Sequence, residues 1–403
     1  MSGQPVQLTF ASFPMSLDFS FSEEHEAFRA HVREFAQREI APHVREWDVV
    51  EQLPTNNIYK KMGDAGLLGI TGRPELGGHG RDYIALGIAI EELGRVDTSC
   101  AMICSVNNTM STLIPGWGDD VVRKVFQGEN MLSIATSEDE SGSDVQNLKT
   151  TARVDGDQFV INGKKIHVSL MPGADYMGVT AWVDWSDGRP PRITFIKVPS
   201  AAAGVSCEQM EEMGARGHQL GIVHFKDVRV PVKDVLGGAG EGKKFLYARW
   251  GVSRCLSALN ALGAAQQVLD DTIAFVKRKI VYGRPIGIYQ GISFPLVEHY
   301  TRIQACRLMA YKGLWMSVVG ENPKMQATMA KWSSVTAAVE CIQACLQMYG
   351  AAGYLKDLPV ERRLRDVMAL LFTGGTINIM KIIVIQELLG KDFAGLREGG
   401  GDA

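Results

Sequence analysis

The sequence predicts an α+β fold in three consecutive parts: helices, a compact β-domain, and helices again. Three observations carry this. Apolar residues recur at helical spacing from Ser22 to about residue 127. From about Met131 the period shortens to that of strands, with Gly and Pro between the apolar runs. After Gly242 the helical period returns and holds nearly to the end. A chain of 403 residues is long enough for two or three packed domains. The predicted parts are an N-terminal arm over 1–20, a helical domain over 21–130, a β-domain over 131–241, a helical bundle over 242–392 and a flexible tail over 393–403.

The first helix starts at Ser22, a capping residue followed by Glu23 and Glu24 at the positive end of the helix dipole. Phe28, Val32 and Phe35 then share one face. Further helical patterns cover 56–66, 81–95, 98–113 and 119–127. In the middle part, the run from Thr151 to Lys164 reads as two short strands joined at Gly156, with a hairpin turn expected at Asn162-Gly163. More strands fit 176–183, 192–198 and 220–230. In the last part, Asn322-Pro323 reads as a cap followed by a proline at the first helical position. Met325, Met329 and Trp332 read as bundle core, and Gly350 closes that helix. Gly399-Gly400-Gly401 marks the tail. No internal repeat stands out.

Composition excludes several function classes. The chain is 46% hydrophobic and 22% charged, an ordinary globular balance. The net charge of -3 and scattered basic residues give no electrostatic case for nucleic acid or an anionic membrane. No apolar run is long enough to span a bilayer. The stretch Met1 to Ser20 lacks a basic region followed by an apolar core, so a cytoplasmic protein is expected. Seven cysteines without metal-ligand spacing read as small buried hydrophobes in a reducing compartment. There is no P-loop, dinucleotide-fold fingerprint, zinc spacing or hydrolase elbow.

The motifs that carry chemistry lie in all three parts. Arg365-Asp366 is followed, after seven residues, by Gly374-Gly375-Thr376. Upstream stand Ala135-Thr136-Ser137-Glu138-Asp139-Glu140-Ser141-Gly142-Ser143-Asp144 and Gly163-Lys164-Lys165-Ile166-His167-Val168-Ser169. Met213-Gly214-Ala215-Arg216-Gly217-His218-Gln219 runs on to Phe225-Lys226-Asp227-Val228-Arg229-Val230-Pro231. Then come Gly251-Val252-Ser253-Arg254, Lys279-Ile280-Val281-Tyr282-Gly283-Arg284-Pro285 with Tyr289-Gln290, and Gln347-Met348-Tyr349-Gly350-Ala351-Ala352-Gly353-Tyr354. Over about residues 20–392 the chain resembles the acyl-CoA dehydrogenases. The resemblance implies a β-barrel-like middle domain, a C-terminal four-helix bundle, bound FAD and a homotetramer. It also implies an acyl-CoA or acyl-carrier-protein substrate, and an external electron acceptor such as an electron-transfer flavoprotein.

The same resemblance implies roles for single residues. Ser137 matches the hydroxyl at the flavin's pyrimidine edge, which can donate or accept. Ser169 matches the residue near flavin N5. His167 takes the place of a Trp that shields one flavin face, exchanging an apolar lid for a titratable ring. Ser143 and Thr373 fall on the substrate side. Lys279, with Arg278 beside it, replaces the Arg on the FAD pyrophosphate; a cation is kept, a bidentate fork is lost. Tyr282, Gln290, Gln347, Gly350, Ala351, Thr376 and Asn378 fall on cofactor-binding positions.

One departure matters most. The family's catalytic Glu, the base that removes the α-proton of the acyl thioester, is replaced by Gly374. The second position where some members carry that Glu is Ser253, just before Arg254. A positioned base is commonly worth about two to four orders of magnitude. Three explanations stay open. Asp97, Glu138, Asp139 or His167 serves instead; or a carboxylate or sulfinate leaves in place of the proton; or the site does other chemistry, such as alkene reduction, oxygenation or plain acyl-thioester binding. A buried Arg254 needs an anionic partner. With Gly374 in place of the Glu, the substrate is left to supply it, which points to a branched, cyclic or acidic acyl group.

Overall fold

A computed structural model describes residues 20–52, 55–186, 188 and 190–393. The predicted arm up to residue 19, and the tail beyond Phe393 with its three glycines, lie outside the described residues. The N-terminal part contains α1 (Glu23–Phe35), α2 (Val44–Val50), α3 (Thr55–Asp64), α4 (Tyr83–Gly94), α5 (Thr98–Leu113) and α6 (Asp119–Phe126). The caps are side-chain oxygens that accept from first-turn N–H groups, which have no partner within the helix. Ser22 accepts from His25, Asp82 from Ala85 and Asp97 from Cys100. Phe28, Val32 and Phe35 are buried, as their spacing predicts.

The middle part is one sheet of eight strands: β1 (Leu132–Ala135), β2 (Thr151–Asp155), β3 (Gln158–Ser169), β4 (Tyr176–Asp184), β5 (Arg192–Pro199), β6 (Val205–Gln209), β7 (Leu220–Pro231) and β8 (Val235–Leu236). The order is β6-β7-β3-β2-β4-β5-β8, and β1 lies parallel beside the start of β4. The β2–β3 hairpin turns at Gly156, as expected. The hairpin expected at Asn162-Gly163 is absent. β3 runs straight through it, with a register shift against β7. Gly163 (φ +150°) sits where a Cβ would lie 2.5 Å from the Thr150 hydroxyl, so the glycine answers crowding there rather than a turn. Asn162 exchanges hydrogen bonds of 3.0 and 2.9 Å with Asp227 across the β3–β7 pair.

The last part is built on α7 (Gly242–Arg278), with α8 (Gln290–Val318), α9 (Lys324–Met348), α10 (Val360–Met368) and α11 (Ile377–Leu389). α7 packs on α4 and α5 as well as on α8 and α9, so it ties the two helical parts together. Its buried Leu256, Leu259, Leu262 and Leu269 each contribute about 2 kcal/mol of burial. Two details of α9 differ from the sequence reading. Pro323 is the cap rather than the first helical residue, while Asn322 accepts from the Lys324 N–H at 3.0 Å. Met325, Met329 and Trp332 are only half-buried. The buried face carries Ala327, Thr328, Ala330 and Ser334, small residues that let α7 approach closely, together with Lys331.

The Arg365-Asp366 pair joins all three parts. Arg365 binds both carboxylate oxygens of Asp48 at 2.9 and 2.7 Å. Asp366 accepts from the Ala215 N–H and from Arg362, each at 2.7 Å. Gly214 packs flat on this backbone; a Cβ there would lie 2.3 Å from the Arg365 carbonyl carbon. Burial pushes the Asp366 carboxyl up to about 6, against the pull of Arg362.

Candidate active site

The expected site residues near the Arg365-Asp366 tie come from two segments. The first comes from the β-domain. The Ile166 N–H donates to the Ser137 carbonyl at 2.9 Å, which brings Ser137 beside His167 and Ser169. His167 has a left-handed backbone (φ +53°) and an exposed ring without a hydrogen-bond partner. Leu170 and Met171 then donate to the carbonyls of His218 and Gln219, so the strand end is sewn to the segment that carries Ala215.

The second is the turn from Leu371 to Thr376, at the head of α11. Thr376 caps α11 by accepting from the Ile379 N–H. Gly374 (φ +68°) and Gly375 (φ +103°) turn the backbone, and a Cβ on Gly374 would meet nothing within 4 Å. The space beside Gly374 is therefore open. Thr373 and Asn378 are exposed, and the Thr373 hydroxyl donates to the Ala369 carbonyl.

Two buried cations lie behind this turn. Arg254, 5% exposed, donates to the Thr328 hydroxyl at 3.1 Å and stacks near Trp250; its Nε has no partner. No carboxylate bridges it among the described residues, and burial pushes its pKa down to about 10. Lys331 is fully buried and donates to the carbonyls of Gly375 at 2.7 Å and Leu371 at 3.4 Å. Burial first, then the Arg254 charge, push Lys331 down to about 7. The unfolded chain keeps that proton up to its ordinary 10.5. Lys331 therefore costs stability fully below about pH 7, and the cost fades as pH rises towards 10.5. Sequence reasoning missed Lys331. The available signal was a Lys at i+4 from Ala327 on a face otherwise made of small residues.

The acids offered as replacement bases are already engaged. Glu138 binds Lys165 at 2.7 Å and accepts from the Thr150 and Lys149 N–H groups. Burial raises its pKa, but these hydrogen bonds win and hold it below the usual range. Asp97 caps α5 and lies 3.5 Å from Arg362. Asp139 is exposed and paired with Lys164. Ser253 is 9% exposed and Ser143 lies on the exposed 142–144 turn. Of the four base candidates, only His167 is left without a partner.

The remaining expected cofactor residues gather elsewhere. Arg278, Lys279, Tyr282, Gln290, Gln347, Gly350 and Ala351 are all exposed. They lie around the C-terminal end of α7, where Arg278 and Tyr349 line a cavity of about 360 Å³ together with Asp271 and Arg363. Arg254 and Arg278 are 24 residues apart on one helix, about 36 Å at 1.5 Å per residue. The residues around Arg278 therefore lie far along α7 from Arg254.

Family models match three stretches: the acyl-CoA dehydrogenase N-terminal domain at 22–127, its middle domain at 133–228 and its C-terminal domain at 240–389. The chain is 32% identical to a 3-(aryl)acrylate reductase of Clostridium sporogenes over 376 residues, covering 92% of this chain and 99% of that one. It is also 32% identical to an acyl-CoA dehydrogenase of Bacillus subtilis over 375 residues, with the same coverage. The butyryl-CoA dehydrogenase structure from Megasphaera elsdenii superposes with a TM-score of 0.87 at 25% identity, covering 93% of this chain and all of that one. No helix among the described residues is long and apolar enough to cross a membrane.

Proposed function

The chain belongs to the acyl-CoA dehydrogenase family, whose members use FAD, and on that premise we propose that it oxidises an acyl thioester bearing a carboxylate on its α-carbon, which leaves as CO2 in place of the α-proton. The observation that carries this reading is the open space at Gly374 in front of two buried cations without an acid. The bond between the α-carbon and the carboxylate breaks, and its electron pair stays on the α-carbon. A hydride leaves the β-carbon, and the two carbons form the double bond of an enoyl thioester. FAD, when bound, would supply the hydride acceptor, and an electron-transfer flavoprotein or another external acceptor would take the electrons.

No general base is needed, because no α-proton is removed. Arg254 binds and orients the carboxylate. Its charge also stabilises the bound ground state, so its benefit lies in holding the breaking bond out of the thioester plane. Ser137, His167 and Ser169 are the groups this chain offers to the flavin ring, and the exposed hydroxyl of Ser143 is the one offered to the thioester arm. The runner-up reading is ordinary dehydrogenation with His167 as base, favoured by its exposed and unpaired ring.

The deciding comparison uses ethylmalonyl-CoA and butyryl-CoA, which yield the same enoyl product. Anaerobic flavin bleaching with release of labelled CO2 from ethylmalonyl-CoA, and slow or no bleaching with butyryl-CoA, is the expected result. Equal bleaching by butyryl-CoA, or an enoyl product that keeps the carboxylate, would defeat the reading.

Lys279, Arg278, Tyr282, Gln290, Gln347, Gly350 and Ala351 are assigned to the FAD of a second copy of the chain, because of the 36 Å along α7. An exposed apolar face on α8, with Phe294, Val297, Leu308 and Trp315, supports a homo-oligomer, proposed as a tetramer. Replacing Lys279 and Arg278 together by Ala removes up to two charge-assisted hydrogen bonds, each about 1.5–3 kcal/mol. FAD should then dissociate at least about tenfold more readily. The measurement is flavin content after gel filtration, and equal retention in mutant and parent would remove the assignment.

A further inference from the structure

Among the buried groups that the proposed reaction does not use, Lys331 touches the Gly374 turn directly. We propose that Lys331 is a positioning residue for the acyl carboxylate, holding the Gly374 turn in its open shape through the carbonyls at its two ends. This rests on the carboxylate reading, and it adds a residue and a coupling which that reading does not require.

Three observations support it. First, Lys331 clasps the turn from behind, with one ammonium on the carbonyls at its two ends, Leu371 and Gly375. The chain between those carbonyls contains Gly374, so its path depends on Lys331. Second, Lys331 is fully buried on α9 beside Ala327, Ala330 and Ser334, and among the described residues no carboxylate pairs with it. A buried ammonium in that state is held by dipoles alone. Third, the charged group facing it from α7 is Arg254, which opposes its protonation. The turn offers it carbonyls only. On α9 its neighbour Trp332 carries Lys381 of α11 over its ring, another cation.

The consequence is a linkage. Without ligand, burial first and then the Arg254 charge push Lys331 down to about 7. A substrate carboxylate at Gly374 adds the missing anion and favours the ammonium. Above about pH 7, an acidic acyl thioester should therefore bind with uptake of up to one proton, and its affinity should fall as pH rises. A neutral acyl thioester should show neither effect.

The test is calorimetry on the FAD-loaded protein at pH 8, in two buffers of different ionisation enthalpy. Malonyl-CoA is the probe, since it has the α-carboxylate but no β-hydrogen to lose as hydride. Acetyl-CoA is the control. The parent should take up a substantial fraction of a proton with malonyl-CoA and none with acetyl-CoA. Lys331→Met should bind malonyl-CoA at least tenfold more weakly and without proton uptake. Lys331→Arg keeps a charge that does not titrate, so it should bind malonyl-CoA without uptake and with little pH dependence between 6 and 9. The parent measurement stands even if Lys331→Met does not fold. Malonyl-CoA binding without proton uptake in the parent, or the same uptake in parent and Lys331→Arg, would overturn the role of Lys331 and leave the carboxylate reading intact. Equal affinity for malonyl-CoA and acetyl-CoA across the pH range would overturn both.

Discussion

Gly374→Glu is expected to lower turnover of a carboxylated acyl thioester by at least about 100-fold, and to give straight-chain acyl-CoAs a dehydrogenation they lacked. The protein itself should accept the change. A Cβ at Gly374 meets nothing within 4 Å, so no neighbour must move. The left-handed backbone (φ +68°) costs a side chain about 1–2 kcal/mol. Against this, the new carboxylate gives Arg254 and Lys331 an anion, which stabilises both charges. The melting temperature should therefore hardly move. Function should invert. The Glu side chain occupies the place proposed for the substrate's carboxylate and takes its cation, a loss of about 2–5 kcal/mol in that contact. It also restores a base within reach of the α-proton, worth about 10²–10⁴ in rate. Single-turnover flavin reduction with ethylmalonyl-CoA and butyryl-CoA reads both arms. If ethylmalonyl-CoA turnover survives, or butyryl-CoA gains nothing, Gly374 is not the vacated base position.

The order of helices, strands and helices was legible because burial imposes a period on each kind of element, and the caps at Ser22, Asp82 and Asp97 are local chemistry. What failed was local reading of a non-local cause. Asn162-Gly163 has the composition of a hairpin turn, yet the glycine is there because Thr150 lies against it and β7 pairs alongside. Met325, Met329 and Trp332 look like core, yet α7 approaches the small-residue face instead. In the site, the expectation of an empty base position at Gly374 rests on one residue and its spacing. The fate of Asp97, Glu138 and Asp139 could not be read that way, since their partners Arg362, Lys165 and Lys164 come from other segments. Lys331 was hidden for the same reason: its partners are carbonyls, which every residue has.

Arg254→Met separates what this cation does for stability from what it does for the reaction. Arg254 is 95% buried by its 5% exposure, its Nε has no partner and no carboxylate among the described residues offsets its charge, so it is an expensive residue to fold around. Met fills similar space without a charge, and the Thr328 hydroxyl keeps its bond to the Lys324 carbonyl. Removing Arg254 also relieves Lys331, whose protonation it opposes. The variant should thus be as stable as the parent or more so, by about 1 kcal/mol, a rise of a few degrees at most in a chain of this size. Catalysis should go the other way. Loss of a buried charge contact to the substrate costs about 2–5 kcal/mol, so kcat/KM for ethylmalonyl-CoA should fall by roughly 30-fold to several thousandfold. Retention of FAD should not change, since Arg254 lies about 36 Å along α7 from the residues assigned to the pyrophosphate. Thermal melts and steady-state kinetics on the same FAD-loaded preparation decide it. A destabilised variant with unchanged kcat/KM would make Arg254 a structural residue and remove the cation from the proposed mechanism. A stable variant that has lost ethylmalonyl-CoA turnover would mean that this fold tolerates an unpaired buried charge only because the substrate brings the partner.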